Sequence, residues 1–355
     1  MMPTDPPTST VLRLRRPAGR TLALALLFAV AAAGVCEAVA RIDGVRERLT
    51  PESVGSGQQQ LDRKLVLLRE MIAGPGPVDA LFLGSSQVHR AIDPSLVEGP
   101  LRAASGGELR LFNFGLNGIS EVGQVPVARI LVRKYHPRLI VVGVSSYGMD
   151  DRRDIKFGEH LEASPWFRYH SGRLDVDGWL LEHSYAMRQY QGYLYWSNPD
   201  AEQLEVQERA VSGMEADGHG AFEPGRFRDV DEEAAAALAD FRVSRSHVEA
   251  LDALFALRSP GLEVVAVEMP VHPHVIERYG RGAGDHEAAL AAIEQVAAKH
   301  GVAFWRFPAD PPIPADAWAD FVHLNRTGTA IYSAWLGNRL GEALKSGALK
   351  VPAGS

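Results

Sequence analysis

The stretch VDALFLGSSQ, residues 78–87, joins an apolar run to a short polar turn. Its first seven residues are almost continuously apolar, which is typical of a parallel β-strand buried on both faces. A helix-start signal, Asp93 followed by Pro94, comes soon afterwards, because Asp caps helices and Pro suits the first helical position. The stretch therefore predicts a strand that leaves the sheet through a polar turn and is followed by a helix.

Further strands and helices are predicted to alternate along the chain. Four more apolar runs resemble the first: residues 109–115 (LRLFNFG), 138–146 (RLIVVGVSS), 262–270 (LEVVAVEMP) and 302–307 (VAFWRF). Helical patterns separate or flank them at residues 58–73, 119–135, 231–257, 286–301 and 325–345. This alternation predicts one α/β domain over residues 58–350, with a five-stranded parallel sheet between two helical layers.

A segment rich in aromatic residues interrupts the alternation at about residues 147–230. It follows the third predicted strand, so it should emerge at the carboxyl edge of the sheet, where open α/β sheets bind ligands. Two interpretations stay open. The segment is either a lid or substrate-binding insertion, or a helical decoration packed on the domain.

The N-terminus carries the features of a membrane anchor. Residues 21–40 (TLALALLFAVAAAGVCEAVA) are apolar except for Glu37, and are long enough to cross a bilayer as a helix. Four arginines precede this run: Arg13, Arg15, Arg16 and Arg20. The positive-inside rule then predicts a cytoplasmic segment at residues 1–20, a polar linker at 41–57 and a periplasmic or extracellular domain.

Other interpretations of the apolar run are a cleaved signal peptide, a lipoprotein signal or a buried core helix. Residues 38–40 (AVA) resemble a signal-peptidase site, and Cys36 would be the lipidated residue. We favour the uncleaved anchor, because the run is longer than the apolar core of most signal peptides and Val35 does not suit a lipoprotein signal.

Net charge and cysteine count limit the partners and the cross-links that we expect. The formal net charge of -7 gives no reason to expect a nucleic-acid partner. With one cysteine, Cys36, the chain forms no internal disulfide. We expect no cofactor.

Two short motifs carry the chemistry. Gly84-Ser85-Ser86 places serines on a strand-to-helix turn, where a hydroxyl is exposed at the sheet edge. Asp320 and His323 lie three residues apart just before the last predicted helix. A serine nucleophile needs a base, and the base needs a partner that fixes its tautomer. The plainer interpretation is that Asp320 or a neighbour caps the last helix and His323 is incidental.

These motifs resemble those of the SGNH (GDSL-type) hydrolases. The resemblance covers about residues 78–145 and 230–345, and implies a flavodoxin-like fold with Ser86 as nucleophile. It implies His323 as base, Asp320 as its orienter, and Gly118, in the block NFGLNG, as an oxyanion-hole donor.

The sequence departs from the family pattern at two positions. Ser85 stands where the family has Asp, which is tolerable because that Asp is not the base's partner. Ser145, in the block GVSS at residues 143–146, stands where the family has its oxyanion-hole Asn. We expect the Ser145 hydroxyl to fill that role, or Asn117 to substitute for it.

Three further residues are weaker candidates for the substrate pocket. Arg90 lies four residues after Ser86, and His272 and His274 follow the fourth predicted strand. A structurally paired Arg90 is the simpler interpretation. No third ligand accompanies the two histidines at helical spacing, so we predict no metal site.

The resemblance extends to a membrane-anchored G-S-S subgroup that includes teichoic-acid D-alanylation and alginate O-acetylation proteins. It implies an extracytoplasmic serine esterase or O-acyltransferase that acts on acyl esters of envelope glycans, beside a multi-spanning membrane acyltransferase. The alternative is a non-catalytic protein of the same fold that binds polysaccharide or assists envelope assembly.

Overall fold

The computed structural model describes residues 19–46, 48–49, 51–74, 77–152, 156–197, 211, 213–225, 227–229, 232–310 and 312–350. The predicted cytoplasmic segment falls almost entirely outside these residues, together with Arg13, Arg15 and Arg16.

The five strands form one parallel sheet in the order β2-β1-β3-β4-β5. They are β1 (Ala80–Gly84), β2 (Leu111–Gly115), β3 (Leu139–Val144), β4 (Glu263–Glu268) and β5 (Ala303–Trp305). This is the flavodoxin-like strand order, which confirms the predicted fold class. Each strand lies inside its predicted run, and the first four are buried almost throughout.

Helices cover both faces of the sheet. In chain order they are α1 (Gly19–Ala40), α2 (Asp43–Arg46), α3 (Gln59–Ala73), α4 (Ser86–Ala91), α5 (Pro94–Ser105), α6 (Glu121–Tyr135), α7 (Lys156–Ala163), α8 (Pro165–His170), α9 (Val176–His183), α10 (Tyr185–Ser197), α11 (Glu232–Ala239), α12 (Arg245–Phe255), α13 (Pro273–Arg278), α14 (Ala283–Lys299) and α15 (Arg326–Lys345). One core lies between the sheet and α3, α6, α12 and α14. The other lies between the sheet and α4, α5 and α15.

Two helical predictions differ from the structure. Residues 231–257 form two helices, α11 and α12, rather than one, because Ser244 caps a new helix by accepting a hydrogen bond from the His247 N–H. The turn after β1 contains the short helix α4, which was not predicted as a helix. Its cap is Ser85, whose hydroxyl accepts from the Gln87 N–H.

Helix α1 is not a core helix. Its apolar span, Thr21–Ala40, is unburied, and large side chains such as Leu22 and Phe28 are exposed. The buried-helix interpretation is therefore wrong. An exposed apolar helix near the N-terminus fits a membrane anchor or a signal sequence.

Part of the predicted linker belongs to the packed domain. Val54 and Ser56 are buried. The Ser53 hydroxyl donates to Asp62 of α3, and the Ser53 N–H donates to the Arg188 carbonyl of α10 at 3.1 Å. The chain is thus fixed to two helices within about a dozen residues of the end of α1.

The insertion divides into two regions. Its first region forms α7–α10, of which α10 packs beside α1. Its last region crosses the edge strand β2, where the Asn113 N–H donates to the Asp217 carbonyl at 2.8 Å. It then reaches the loop before α15, where the Arg228 N–H donates to the Ala319 carbonyl at 3.2 Å. The helices of the first region pack on the domain, and the last region reaches the loop that precedes α15.

Helix α4 approaches the end of β2 closely. A Cβ placed on Gly115 would lie 2.4 Å from the backbone nitrogen of His89, which cannot move without shifting α4. We therefore expect Gly115→Ala to lower the free energy of unfolding by about 1–3 kcal/mol, as overpacking does. Urea unfolding followed by circular dichroism measures this change.

The control is Gly99→Ala on the exposed side of α5, where an added Cβ meets no atom within 4 Å. It should leave stability unchanged or slightly higher, because Ala favours helices more than Gly. Equal stability of the two variants would contradict the close approach of α4.

Candidate active site

The structure places Ser86 at the first position of α4, immediately after β1. The strand ends at Gly84, opposite Gly115 of β2. A serine at such a strand-to-helix turn stands at the carboxyl edge of the sheet, with its backbone N–H at the start of a helix. Ser86 lines a cavity of about 460 Å³ at this edge.

Ser86, His323 and Asp320 form a continuous hydrogen-bonded chain. The Ser86 Oγ lies 2.7 Å from His323 Nε2, and His323 Nδ1 lies 2.9 Å from both carboxylate oxygens of Asp320. Because a carboxylate only accepts, Nδ1 carries the proton and Nε2 accepts from the serine. The arrangement is that of a nucleophile, a base and an orienting acid.

Asp320 is held in its charged form. Burial alone would raise its pKa, but the hydrogen bond and charge of His323 and the backbone N–H groups of Val322 and His323 outweigh burial and lower the pKa. Both N–H groups donate to Asp320 Oδ1, at 3.0 Å and 2.9 Å. The same bonds fix the short loop that carries His323.

Asn325, not Asp320, caps the last helix. Its side chain accepts from the N–H groups of Thr327 and Gly328 at the start of α15. The helix-cap interpretation therefore does not account for Asp320 and His323, whose side chains face each other and Ser86.

Gly118 lines the same cavity as Ser86. Its φ of 72° lies in the left-handed region, which favours glycine. Charged and polar side chains of Ser120, Glu121 and Arg152 contribute to the cavity wall, together with Tyr147. The cavity wall therefore combines charged and polar groups with apolar ones such as Phe321.

The prediction for Ser145 is wrong. Its side chain is buried and does not line the cavity. The hydroxyl donates its only hydrogen to Gln87 Oε1 at 2.7 Å and accepts from the Gly148 N–H at 3.0 Å. A hydroxyl with its hydrogen already bound has none left for an oxyanion.

Asn117 does not replace it. It does not line the cavity, and its backbone N–H donates to Gln60 Oε1 of α3 at 2.6 Å. Asn117 thus holds the loop that carries Gly118 against α3, rather than facing Ser86.

Arg90 also lies outside the cavity, in agreement with the simpler interpretation. It is buried, and its Nη1 donates to the Gly220 carbonyl at 2.9 Å. Its guanidinium stacks over the ring of Phe222, 4.1 Å from the centroid. Burial lowers the pKa of Arg90 to about 10, which leaves it charged at neutral pH.

The two histidines after β4 have structural roles as well. His272 caps α13 by accepting from the His274 N–H, and its ring packs against Phe227 and Trp318. His274 pairs with Asp229 at 3.3 Å. Neither residue lines the cavity at Ser86, so the prediction that they form part of the substrate pocket is wrong.

Three residues that make contacts near the site were not predicted from the sequence. Gln87, next to the nucleophile, donates through Nε2 to the carbonyls of Pro270 and Val322, at 3.2 Å and 3.3 Å. Phe222 meets the His323 ring edge-on, with centroids 5.7 Å apart. Arg228 lies 3.8 Å from Asp320. Phe222 and Arg228 belong to the distant end of the insertion, and no local pattern marks them.

One group of potential metal ligands exists among the described residues, and it is separate from the cavity. Atoms of Asp93, Asp217 and His219 lie within 4.8 Å of one another at the start of α5. Asp93 Oδ1 already accepts from the N–H and hydroxyl of Ser95, and Asp217 Oδ1 accepts from the His219 N–H. Asp93 therefore caps the start of α5, and Asp217 stabilises a turn.

The sequence matches no protein-family model and no curated protein. Solved structures align with about three quarters of the chain at low identity. A carbohydrate acetylesterase family member from Sinorhizobium meliloti is 11% identical, covers 76% of this chain and 99% of its own, and has a TM-score of 0.35. A catalytic mutant of the acetylxylan esterase Axe2 from Geobacillus stearothermophilus is 13% identical, covers 76% and 95%, and scores 0.37. A lipase/acylhydrolase from Enterococcus faecalis is 13% identical, covers 77% and 98%, and scores 0.34. Because the identities and TM-scores are this low, the activity is argued from the geometry of the site.

The contacts of Ser145 predict a structural effect rather than a catalytic one. Ser145→Ala leaves Gln87 Oε1 and the Gly148 N–H without their partner, so unfolding free energy should fall by about 1–3 kcal/mol. Turnover of p-nitrophenyl acetate should fall by much less than the roughly 10²-fold loss of an oxyanion-hole donor. Urea unfolding and kcat on the same preparation give both values. Unchanged stability with a roughly 10²-fold lower kcat would restore the catalytic assignment.

Proposed function

We propose that this protein is a serine esterase or O-acyltransferase of the SGNH type that acts on acyl esters of cell-envelope glycans. The observation that carries the proposal is the hydrogen-bonded chain from Ser86 through His323 to Asp320 at the wall of an open polar cavity. Three such side chains in this order are what acyl transfer through a serine requires.

The reaction follows from the positions of the protons. His323 Nε2 takes the hydroxyl proton as Ser86 Oγ attacks the ester carbonyl, and Asp320 stabilises the imidazolium. The tetrahedral intermediate collapses when His323 gives that proton to the leaving alkoxide, which leaves an acyl group on Ser86. A second hydroxyl, deprotonated by His323, then attacks the acyl carbonyl, and His323 returns the proton to Ser86 Oγ as the acyl–serine bond breaks. Water as this acceptor gives an esterase, and a sugar hydroxyl gives an acyltransferase.

We assign the oxyanion hole to backbone groups. The Ser86 N–H stands at the first turn of α4, and Gly118 lines the same cavity as Ser86. Backbone donors at these two places would stabilise the negative charge that develops on the carbonyl oxygen during attack. The hole therefore has fewer side-chain donors than the family pattern, which favours activated esters or a slow reaction.

The cavity wall favours a carbohydrate ester as substrate. Glu121 and Arg152 give it charge of both signs, and Ser120 and Tyr147 add a hydroxyl and an aromatic ring. Such a mixture suits sugar hydroxyls, which both donate and accept hydrogen bonds. Helix α1 would hold the domain at the outer face of a membrane, where a multi-spanning acyltransferase is a suitable donor of acyl groups.

The non-catalytic alternative has one observation in its favour. Ser145 stands where the family has an amide, and its hydroxyl is engaged by Gln87. A protein that keeps the fold and binds glycans without turning them over would tolerate this loss. The intact chain of Ser86, His323 and Asp320 favours the enzyme.

A fluorophosphonate probe tests the nucleophile. The parent protein should form a covalent adduct on Ser86 and hydrolyse p-nitrophenyl acetate, and Ser86→Ala should do neither, because no other hydroxyl donates to His323 Nε2 among the described contacts. Intact-protein mass spectrometry and an absorbance assay measure the two outcomes.

The matched control is Ser85→Ala, which removes the neighbouring hydroxyl. It should keep both the adduct and turnover, with a stability loss of about 1 kcal/mol from the lost cap. Adduct formation in Ser86→Ala would contradict Ser86 as the nucleophile, and absence of an adduct in the parent would favour the non-catalytic alternative.

Topology is tested separately. A reporter that is active only outside the cytoplasm should be active when fused to the C-terminus, because the arginines before α1 favour the cytoplasmic side. The protein should also remain with membranes after carbonate extraction. Activity of a cytoplasm-specific reporter at the same position would contradict the proposed orientation.

A further inference from the structure

The single acidic residue of the apolar helix, Glu37, holds α1 to the domain. Its carboxylate accepts hydrogen bonds from the backbone N–H groups of Tyr185 and Ala186, at 2.9 Å and 3.0 Å, and from the Ser184 hydroxyl at 2.8 Å. The two N–H groups belong to the first turn of α10, whose donors have no partner within the helix. Glu37 therefore caps α10 from a different helix, and its negative charge suits that helix end.

Arg41 completes this junction. Its guanidinium pairs with Glu37 at 2.6 Å and lies 5.8 Å from the centre of the Tyr185 ring. Tyr185 itself is buried. Beyond the junction, the segment around Ser53 is bound to Arg188 of α10, so the chain returns to the same helix. These contacts fix the C-terminal end of α1, which carries Glu37, against α10.

Large apolar and aromatic side chains are exposed on both sides of the junction. We call this surface the aromatic rim, and it consists of Leu174, Val176, Trp179, Tyr190, Tyr193 and Leu194. Val176 and Trp179 lie three residues apart on α9, so they share one face of that helix. Leu174, just before α9, is fully exposed, and Trp179 is 51% exposed. Tyr190 shares one face of α10 with Tyr193 and Leu194 for the same reason.

We propose that the aromatic rim lies in the lipid interface of the membrane that α1 spans, so that the domain is docked on the bilayer rather than tethered above it. This inference rests on the proposed anchor. The two helices that carry the rim meet at α1, because α9 ends at His183 and α10 begins at Tyr185, on either side of the Ser184 that binds Glu37. Glu37 is three residues from the end of the apolar span, so the junction lies at the level where the span leaves the hydrocarbon.

The composition of the rim fits this depth. Trp and Tyr are enriched where bilayer and water meet, because their rings are apolar and their N–H and O–H groups need polar partners. Clusters of exposed apolar side chains on a soluble surface are uncommon and mark a surface that is covered. The bilayer around α1 is the apolar phase nearest to these side chains.

Docking has a consequence for the active site. With α1 bound to α10, and α10 bound through residues 51–56 and α3 to the sheet, the cavity at Ser86 keeps one height and one direction relative to the membrane. A docked enzyme acts on acceptors within a fixed layer of the envelope, whereas a tethered one samples a range of heights set by its linker.

Single-cysteine labelling of the full-length protein in phosphatidylcholine vesicles tests the proposal. Leu174→Cys and Trp179→Cys, each made in a Cys36→Ala background, are labelled with the environment-sensitive fluorophore NBD. Both labels should be quenched by lipids that carry a nitroxide near the headgroup, should show blue-shifted emission, and should lose quenching by aqueous iodide. The matched control is Leu96→Cys on α5, an exposed leucine (42%) on the opposite side of the sheet, which iodide should quench fully.

The native cysteine separates failure of the docking from failure of the anchor. Cys36 lies in α1 and is exposed, so its label reports whether α1 is in the bilayer. Lipid quenching at Cys36 with full iodide quenching at residue 174 would overturn the docking and keep the anchor. No lipid quenching at Cys36 would overturn both. Shielding of residue 174 from iodide without lipid quenching would overturn the lipid as occupant in favour of a protein contact.

Variants of Glu37 provide a second test of the proposal. Glu37→Ala removes the cap of α10 and should restore iodide quenching at Leu174→Cys, whereas Glu37→Gln keeps a carbonyl acceptor and should preserve part of the shielding. Circular dichroism establishes that both variants are folded. Full shielding in a folded Glu37→Ala variant would overturn the assignment of Glu37 as the residue that sets the docking.

Discussion

The side chain of Gln87 holds together three loops that build the catalytic edge. Its Oε1 accepts from Ser145 after β3, and its Nε2 donates to Pro270 after β4 and to Val322 beside the base. All of these partners are buried or nearly so, and a buried amide with all its bonds made stabilises one arrangement of its neighbours. Because Gln87 follows Ser86 directly, the same residue fixes where the nucleophile stands relative to His323.

This constraint explains why the departure at Ser145 leaves the site geometry intact. In this chain Ser145 is a partner of Gln87, and the amide that reaches across the edge belongs to Gln87 itself. A larger side chain at position 145 would occupy the space that Gln87 now fills, because Ser145 is buried. The substitution at position 145 is thus accommodated by the contacts of Gln87, which lies next to the nucleophile.

Local patterns predicted the five-stranded sheet, and they predicted that Ser86, Asp320 and His323 lie close together. Strands such as β1 and β3 are buried on both faces, so their sequences are continuous apolar runs that have no other simple interpretation. Strand ends meet at one edge of a parallel sheet, which brings Ser86 near the loop of Asp320 and His323 without any further information.

Side-chain directions were not predictable in the same way. Whether Ser145 faced the cavity or Gln87 depended on hydrogen bonds between residues almost sixty positions apart.

The N-terminal helix shows a similar contrast between local and distant information. In the sequence, Glu37 is only an interruption of an apolar run, and an acidic side chain in hydrocarbon is costly unless it is paired. In the structure its partners come from residues 184–186 and Arg41, so the charge is placed at the end of the span where a helix start needs it. A helix needed only for membrane insertion gains nothing from this residue. Glu37 makes specific contacts with the start of α10, so α1 is joined to the domain by hydrogen bonds as well as through the chain.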